Sequence, residues 1–299
     1  MNYAVHLAIY FSISALLAMS VNLVTGYGGY LTFATSSFFA IGAYSYAITA
    51  VQWHADFLVS WVLAACFAYV LSLLLSVPSW RYKGDTFVVI SLAVQTIVFG
   101  ILYNWYSASA PLGSIRNLTN GPYGIAGIST PSFLGISLVS RISLLVPAAI
   151  LLSSGMLVTM RIASSPFGTL VQCMRDDEIA LRCLGKNTRV LKVHIFGVAS
   201  AFAATAGILY AAYARYVDPS TATFDQALLP VAMAIVGGLG NLKGSLVGAA
   251  VFVAIPELLR LAPFQSGDAG SIRLLLYGCF LVILVHVRPR GIFGAYFFE

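Results

Sequence analysis

Long apolar runs constrain this chain more than any other feature of its sequence. Runs such as Leu144–Leu152 and Leu274–Val285 contain no charged residue. Charged residues make up 9% of the 299 residues, and hydrophobic residues make up 60%. An ordinary soluble domain has roughly 25% charged residues. Because so few charges cannot cover the surface of a soluble domain, lipid must be the solvent for much of the chain.

The apolar segments predict an all-α, polytopic transmembrane helix bundle. The chain is long enough for eight to ten crossings of about 20 residues each. We predict about nine, over residues 4–23, 30–51, 57–80, 86–106, 141–160, 190–215, 227–241, 245–262 and 271–287. The runs lack the alternation of apolar and polar residues that is typical of a transmembrane β-barrel. Residues 1–299 are predicted to form a single transmembrane domain.

The distribution of positive residues predicts the orientation of the bundle. If residues 161–192 are cytoplasmic and residues 107–140 are external, 11 of the 16 Lys and Arg residues lie on the cytoplasmic side. This bias is the usual one for membrane proteins. The N-terminus would then be outside and the C-terminus inside. The net charge of +6 therefore does not indicate a nucleic-acid partner, because the basic residues lie at the ends of apolar segments and form no patch.

Residues 161–189 are the most charged part of the chain and predict a helix at the inner membrane face. Ser165 is a good N-cap, Pro166 suits the first helical position, and Gly185 supplies a stop. Between them lies an apolar stripe, formed by Phe167, Leu170, Val171 and Met174. Three acids follow this stripe at 176–178, so we predict an amphipathic helix that is bent in its middle. Acids would be repelled by anionic lipid, which favours docking to a protein partner over an interfacial helix lying on lipid.

Two glycine-rich stretches, at 26–29 and 237–248, predict broken or closely packed helices at membrane depth. Hydroxyl residues follow the first stretch directly. They are Thr32, Thr35, Ser36 and Ser37, and they could face a translocation path for a polar solute. Ordinary hydrogen bonding between helices is the other interpretation of these small polar residues.

Several signals of chemistry are missing from the sequence. The segment from Gly240 to Ser245 has the residue types of a P-loop without its spacing, so any ATP must be hydrolysed by another chain. The cysteines and histidines have no metal-ligand spacing, and we expect no metal, no cofactor and no enzymatic activity. The acidic residues map near helix ends, which disfavours an ion-coupled secondary transporter of small polar solutes, the main alternative. Glu257, beside Pro256, is the least clear of them.

An ordered set of motifs resembles the Liv family of branched-chain amino acid permeases in ABC importers. The segment from Met174 to Gly185 is similar to the EAA loop of ABC importer permeases. The other matching segments are "NLVTGYGGYLTFATSSFFAIGAY" at 22–44, "RYKGDTFVVISLA" at 81–93, "LTNGPYGI" at 118–125, "LYAAYARYVDPSTATF" at 209–224, "VGGLGNLKGSLVGA" at 236–249 and "RPRGIFG" at 288–294. The resemblance covers nearly the whole chain. It departs at 181–183, where Leu-Arg-Cys stands in place of the usual Ala-Glu-Ala.

This resemblance implies a permease subunit of the bacterial inner membrane that works with several partners. They are two ABC ATPase subunits that bind the ATP, a second homologous permease subunit in a homo- or heterodimer, an extracytoplasmic substrate-binding protein met near 120–124, and membrane lipid. The helix from Pro166 to Gly185 would couple ATP hydrolysis to transport. The coupling residues would be Pro166, Phe167, Leu170, Met174, Arg175, Asp177, Glu178, Ala180 and Gly185. The substrate would be a branched-chain or other amino acid, with urea or an amide as alternatives.

Overall fold

The computed structural model describes residues 2–260 apart from 54, 108, 111–112, 115, 130, 134–135 and 138–139, together with 278 and 291–293. These residues form a helical bundle, which confirms the predicted all-α class. The helices are α1 (Asn2–Asn22), α2 (Thr35–Gln52), α3 (Phe57–Leu71), α4 (Leu73–Ser79), α5 (Asp85–Asn104), α6 (Arg141–Ala163), α7 (Pro166–Asp176), α8 (Glu178–Cys183), α9 (Thr188–Ala214), α10 (Phe224–Gly237) and α11 (Leu242–Arg260). A π-helical turn, Leu23–Tyr27, extends α1, and short 3-10 turns lie at Gly121–Tyr123 and Pro219–Ala222.

Eight of the predicted crossings correspond to described helices, and the ninth, at 271–287, lies outside the described residues. Five helical spans in the described part are long and apolar enough to cross a membrane, namely Tyr3–Tyr27, Phe57–Ser79, Asp85–Asn104, Ile142–Ala163 and Thr188–Ala214. The predicted second crossing begins too early. Its helix starts at Thr35, and residues 29–34 are irregular because the glycines release the chain from the preceding helix.

The helices sort into a buried centre and a lipid-facing periphery. Helices α1, α2 and α9 pack together in the centre, and most residues of α2 and α9 are buried. Peripheral helices α3, α5 and α6 instead expose large apolar side chains, such as Phe67, Val89 and Val146. Exposed apolar residues on several neighbouring helices are what a lipid-embedded surface requires.

Glycine brings the two central helices into backbone contact. A Cβ atom built at Gly207 of α9 would lie 2.0 Å from the carbonyl oxygen of Phe39 on α2. A Cβ atom at Gly42 of α2 would lie 2.2 Å from the carbonyl oxygen of Ala204 on α9. Such close approach provides the van der Waals contact that holds helices together where lipid supplies no hydrophobic driving force.

The two long polar segments lie at opposite ends of the bundle. Strand β1 (Ile125–Ala126) pairs antiparallel with β4 (Tyr216–Val217), just after the end of α9. The short hairpin of β2 (Ser132–Phe133) and β3 (Ile136–Ser137) belongs to the same polar segment. Helices α7 and α8 instead precede the start of α9, which has 27 residues. Such a helix is about 40 Å long and separates the two segments across the bundle.

The contact between α2 and α9 predicts a sharp difference between two glycine positions. We expect Gly207→Ala to lower the free energy of unfolding by about 1–3 kcal/mol, because the added methyl group overlaps the backbone of α2. Gly100→Ala in α5 is the matched control, since nothing lies within 4 Å of its Cβ position. Thermal unfolding of both variants in detergent would measure this. Equal stability of the two variants would contradict the described packing.

Candidate functional site

Helices α7 and α8 form a bent pair whose ends are fixed by side-chain caps. Ser165 accepts a hydrogen bond from the amide of Gly168 at 3.1 Å, and Pro166 occupies the first position of α7. Asp177 has extended backbone, ends α7 and caps α8 by accepting from the amides of Ile179 and Ala180 at 2.8 and 3.0 Å. Gly185 takes a φ of +75° after α8. The predicted cap, bend and stop are therefore confirmed.

A buried carboxylate, that of Glu178, lies at the centre of this segment. One oxygen, Oε1, lies 2.9 Å from Nζ of Lys192, accepts from the hydroxyl of Thr188 at 2.9 Å and also pairs with Arg182. The other oxygen, Oε2, lies 2.5 Å from Nζ of Lys83 and accepts from the hydroxyl of Tyr30 at 3.3 Å. Five groups from four parts of the chain therefore meet on one side chain. We call these six residues the Glu178 cluster.

The Glu178 cluster keeps this carboxyl ionised. Burial alone would raise the pKa of the Glu178 carboxyl. Hydrogen bonds from Lys83, Lys192 and Thr188 outweigh burial and hold that pKa at about 2, below its ordinary value of 4.5. Because the pKa is lowered, the stabilisation is present at neutral pH and is lost only as the pH falls from about 4.5 through about 2.

Lys192 is the only fully buried cation of the cluster. Its side chain is 0% exposed, whereas those of Lys83 and Arg182 are about half exposed. Its ammonium group also donates to the carbonyl of Ser79 at 2.6 Å, and it lies 5.2 Å from the ring centroid of Tyr30. An ammonium that is buried to this extent must be paired, and Glu178 supplies the charge.

Helix α7 also contacts the irregular segment between α1 and α2, residues 28–34, which we call the broken segment. Nη1 of Arg175 donates to the carbonyl oxygen of Gly26 at 2.7 Å, at the end of the π-helical turn. A Cβ atom at Gly29 would lie 2.5 Å from Cγ of Arg175, so only glycine fits there. Together with the hydrogen bond from Tyr30 to Glu178, this contact fixes α7 and α8 against the broken segment.

The end of α1 and the π-helical turn lie beside the second glycine-rich turn, between α10 and α11. Asn22 is buried, and its side-chain amide donates to the carbonyl of Asn241 at 2.9 Å and to the hydroxyl of Ser245 at 2.6 Å. Its Oδ1 atom accepts from the amide of Gly240 at 2.8 Å. A Cβ atom at Gly26 would lie 2.4 Å from that same amide nitrogen. Non-helical backbone at membrane depth requires such partners because no water reaches it.

The predicted apolar stripe faces the bundle and not a partner. Met174 and Val171 are buried in the chain, and Phe167 and Leu170 are half-buried against the main core. Met174, which was predicted among the residues that couple to a partner, is therefore packed inside this chain instead. The stripe instead attaches α7 to the bundle that it follows.

The expected role of Glu178 in contacting a partner also needs correction, because its side chain is bonded inside the chain and 3% exposed. Arg175 is half-buried against the π-helical turn. Of the other predicted coupling residues, Pro166, Asp177, Ala180 and Gly185 are exposed.

Two large apolar side chains are exposed on the far side of the α8 region. Ile179 is 74% exposed and Leu184 is 76% exposed, and the exposed residues Ala180 and Cys183 lie between them in sequence. We call these four residues the outer face of α8. Its sequence signal was present, since Ile179 and Leu184 interrupt a polar run. Periodicity from Phe167 predicted a single apolar stripe before the bend and assigned no face to the helix after Asp177, where α8 begins.

The four predicted path residues lie at the start of α2 and in the segment before it. Thr32, Thr35, Ser36 and Ser37 are all buried, at 5% exposure or less. The hydroxyls of Ser36 and Ser37 have no hydrogen-bond partner among the described residues. Buried hydroxyls almost always have a partner, so two adjacent exceptions at a helix start are unusual.

The sequence reasoning missed Lys192, Lys83 and Tyr30. Lys192 offered a signal, because it follows Leu191 within the predicted start of an apolar crossing, where an ionisable residue indicates a paired site. Lys83 and Tyr30 lie far from Glu178 in sequence and have no local signal.

Comparison with known proteins agrees with a multi-pass helical membrane protein. A family model described as "Branched-chain amino acid transport system / permease component" matches residues 3–285. The chain belongs to this permease family. It is therefore a transport permease of the amino-acid transport class.

Relatives in bacteria and archaea resemble the chain over most of its length. The branched-chain amino acid permease protein LivM of Escherichia coli K12 is 28% identical over 300 residues, covering 93% of this chain and 67% of the relative. A probable LivM of Methanocaldococcus jannaschii is 27% identical over 77% of this chain and 66% of its own length. LivH of Salmonella typhimurium is 23% identical over 94% of this chain and 91% of its own length. The chain thus spans about two-thirds of the LivM relatives. No solved structure matches the chain.

Removing the central carboxylate tests the Glu178 cluster. We expect Glu178→Gln to lower the free energy of unfolding by about 3–5 kcal/mol, because Lys192 would keep a buried charge without a counter-ion. The double variant Glu178→Gln/Lys192→Met should recover part of the loss, since it removes both charges. Denaturant unfolding in detergent would measure the free energy of unfolding of the wild type and of both variants.

The control for these variants is Asp176→Asn, whose carboxylate is 60% exposed and bonds only to the neighbouring Arg175 within the described part of the chain. It should change stability by no more than about 0.5 kcal/mol. A Glu178→Gln protein that is as stable as the Asp176→Asn protein would show that the buried pair contributes nothing.

Proposed function

We propose that this chain is a membrane permease subunit of an ABC importer for branched-chain amino acids, and that α7 and α8 dock a separate ATPase subunit. The observation that carries the proposal is the attachment of α7 and α8 to the chain between α1 and α2. Arg175 bonds to Gly26 in the π-helical turn, and Glu178 bonds to Tyr30 in the broken segment. A movement imposed on α8 would therefore act on backbone that lies beside the start of α2. Membership of the permease family supports this assignment. With residues 161–189 cytoplasmic, the N-terminus lies outside.

The outer face of α8 is the surface that we assign to the ATPase. Ile179 and Leu184 are apolar and largely exposed in a charged segment, outside the apolar crossings. Burial of an exposed Ile or Leu side chain in a protein pocket is favourable by about 1.5–3 kcal/mol. Asp177 and Lys186 are exposed nearby and can form charged contacts at the rim.

Charge placed on this face should separate the permease from its ATPase. We expect Ile179→Glu/Leu184→Glu to reduce the ATPase recovered with affinity-purified permease by at least about tenfold, because a carboxylate cannot enter an apolar pocket unpaired. Densitometry of the complex purified from membranes would measure this loss. The fold should survive, since neither side chain is buried.

Tyr123→Glu is the matched control, because Tyr123 is 66% exposed in the external segment. This variant should retain the ATPase in full. Normal ATPase recovery with the double glutamate variant would refute docking at this face.

We also propose that Thr32, Thr35, Ser36 and Ser37 line the translocation path. The unpartnered hydroxyls of Ser36 and Ser37 support this, since a passing zwitterion or water would supply the missing hydrogen bonds. The broken segment before them leaves the start of α2 inside the bundle, where backbone amides are available to a substrate carboxylate.

Alanine substitutions separate a path from ordinary helix packing. We expect Ser36→Ala/Ser37→Ala to keep wild-type stability, because no described hydrogen bond is lost, and to reduce amino-acid uptake roughly 3- to 10-fold. Ser20→Ala is the control, since its hydroxyl donates to the carbonyl of Ala199 at 2.7 Å, and it should lose about 1 kcal/mol of stability instead. Radiolabelled uptake and thermal unfolding give the two readouts. Unchanged uptake by the double variant would remove these residues from the path.

Reconstitution distinguishes the importer from an ion-coupled carrier. The purified permease pair, the ATPase and the binding protein are reconstituted together in proteoliposomes. These proteoliposomes should take up leucine only when ATP is present on the side of the bilayer that the ATPase faces. Uptake by this chain alone, driven by a sodium or proton gradient, would overturn the proposal in favour of a secondary transporter.

A further inference from the structure

A large cavity enters the bundle at the end where α1 begins. Its volume is about 960 Å³, and its walls come from α1, α10 and α11, with contributions from α2, α9 and the turn at Pro219–Ala222. Along α1 the lining runs from Tyr3 to Leu17. The fourteen residue steps from Tyr3 to Leu17 correspond to about 21 Å of helix, or about two-thirds of the thickness of a bilayer core. A cavity of this volume can hold an amino acid together with water.

The outer part of the cavity carries negative charge. Asp225 lies in the first turn of α10, and Glu257 lies near the end of α11, so both occupy the same end of this helical hairpin. Neither carboxylate has an ion pair or hydrogen bond among the residues that the structure describes. No Lys or Arg belongs to the described lining. Two uncompensated carboxylates favour an ammonium group and repel an anion.

Aromatic rings add to this preference. His6 and Tyr10 line the cavity with ring centroids 4.6 Å apart, and the ring of Tyr3 lies 6.2 Å from that of His6. Tyr210 of α9 contributes a further ring. The faces of aromatic rings attract ammonium groups by cation–π interaction.

The inner end of the cavity is apolar. Leu17, Met233 and Phe252 line it, and Phe39 belongs to the first two turns of α2. Phe39 lies two residues after Ser37, so the cavity ends within about one helical turn of the proposed path. Ser14, one helical turn before Leu17 on α1, and Gln226, next to Asp225 in the first turn of α10, offer donors to a carboxylate. The polarity therefore changes from anionic at the mouth to apolar at the floor.

We propose that this cavity is the entry site for the substrate amino acid, with its ammonium group toward Asp225 and Glu257 and its apolar side chain toward Leu17, Met233 and Phe252. The proposal deepens the importer function given above and rests on it for the identity of the substrate. It adds the requirement that the solute carry an ammonium group, which excludes urea and simple carboxylic acids from this site.

Saturation-transfer NMR on the purified chain in nanodiscs tests the proposal with three probes. Leucine and 3-methylbutylamine carry the ammonium group, whereas 4-methylpentanoate carries only the carboxylate. We expect signals from the first two that exceed the 4-methylpentanoate signal at least fivefold. Asp225→Asn/Glu257→Gln should reduce these two signals at least fivefold, and the control Asp176→Asn should leave them unchanged.

A blocking variant gives a second readout in the complete transporter. Ser14→Trp places an indole in the cavity and should lower leucine uptake at least tenfold, while stimulation of ATP hydrolysis by the binding protein persists. Equal signals from 3-methylbutylamine and 4-methylpentanoate, or wild-type uptake by Ser14→Trp, would overturn the cavity assignment and leave the importer intact. Absence of stimulated ATP hydrolysis in the wild type would instead refute the importer function.

Discussion

The buried carboxylate of Glu178 is the interaction on which the arrangement of the polar helices depends. It joins α8, the start of α9, the α4–α5 connection and the broken segment through charged or hydroxyl partners. Buried ion pairs add little net stability, because desolvation offsets much of the attraction. The hydrogen bonds of a buried ion pair are directional, however, so any other arrangement of the paired groups costs free energy. With Lys192 fully buried, α8 cannot leave this site without exposing an unpaired charge to a poorly solvated interior.

The two glycine-rich turns solve a second problem, which is how to break helices inside a membrane. Backbone that leaves the helical ladder needs new hydrogen-bond partners where water is absent. Asn22 satisfies backbone groups of Gly240 and Asn241, and Gly26 permits the approach by having no side chain. The break before α2 leaves the start of that helix inside the bundle. It also leaves the Ser36 and Ser37 hydroxyls without described partners.

In our proposals the docking surface, the Glu178 cluster, the broken segment and the translocation path follow one another through the molecule. The outer face of α8 lies at one end, the Glu178 cluster and the broken segment follow it, and the start of α2 comes next. The cavity lined by Asp225 and Glu257 opens at the other end, and Phe39 of α2 belongs to its lining. The contacts between α7, α8 and the chain before α2 are a few hydrogen bonds and one close glycine contact. In our proposals a small displacement of α7 and α8 changes these contacts, since transport by alternating access requires contacts with two arrangements.

The sequence alone determined the helical class, the approximate helix positions and the capped, bent segment after Ser165, because apolar runs and capping residues act locally. Its ordered motifs also indicated the permease family. Only the tertiary structure decided which faces meet. The stripe of Met174 turned inward and Ile179 turned outward, since the break at Asp177 redirects α8. Partners such as Tyr30 and Lys83, and the cavity between α1 and α10, depend on residues far apart in the chain. Local periodicity carries no information about such contacts, because packing between helices alone brings these residues together.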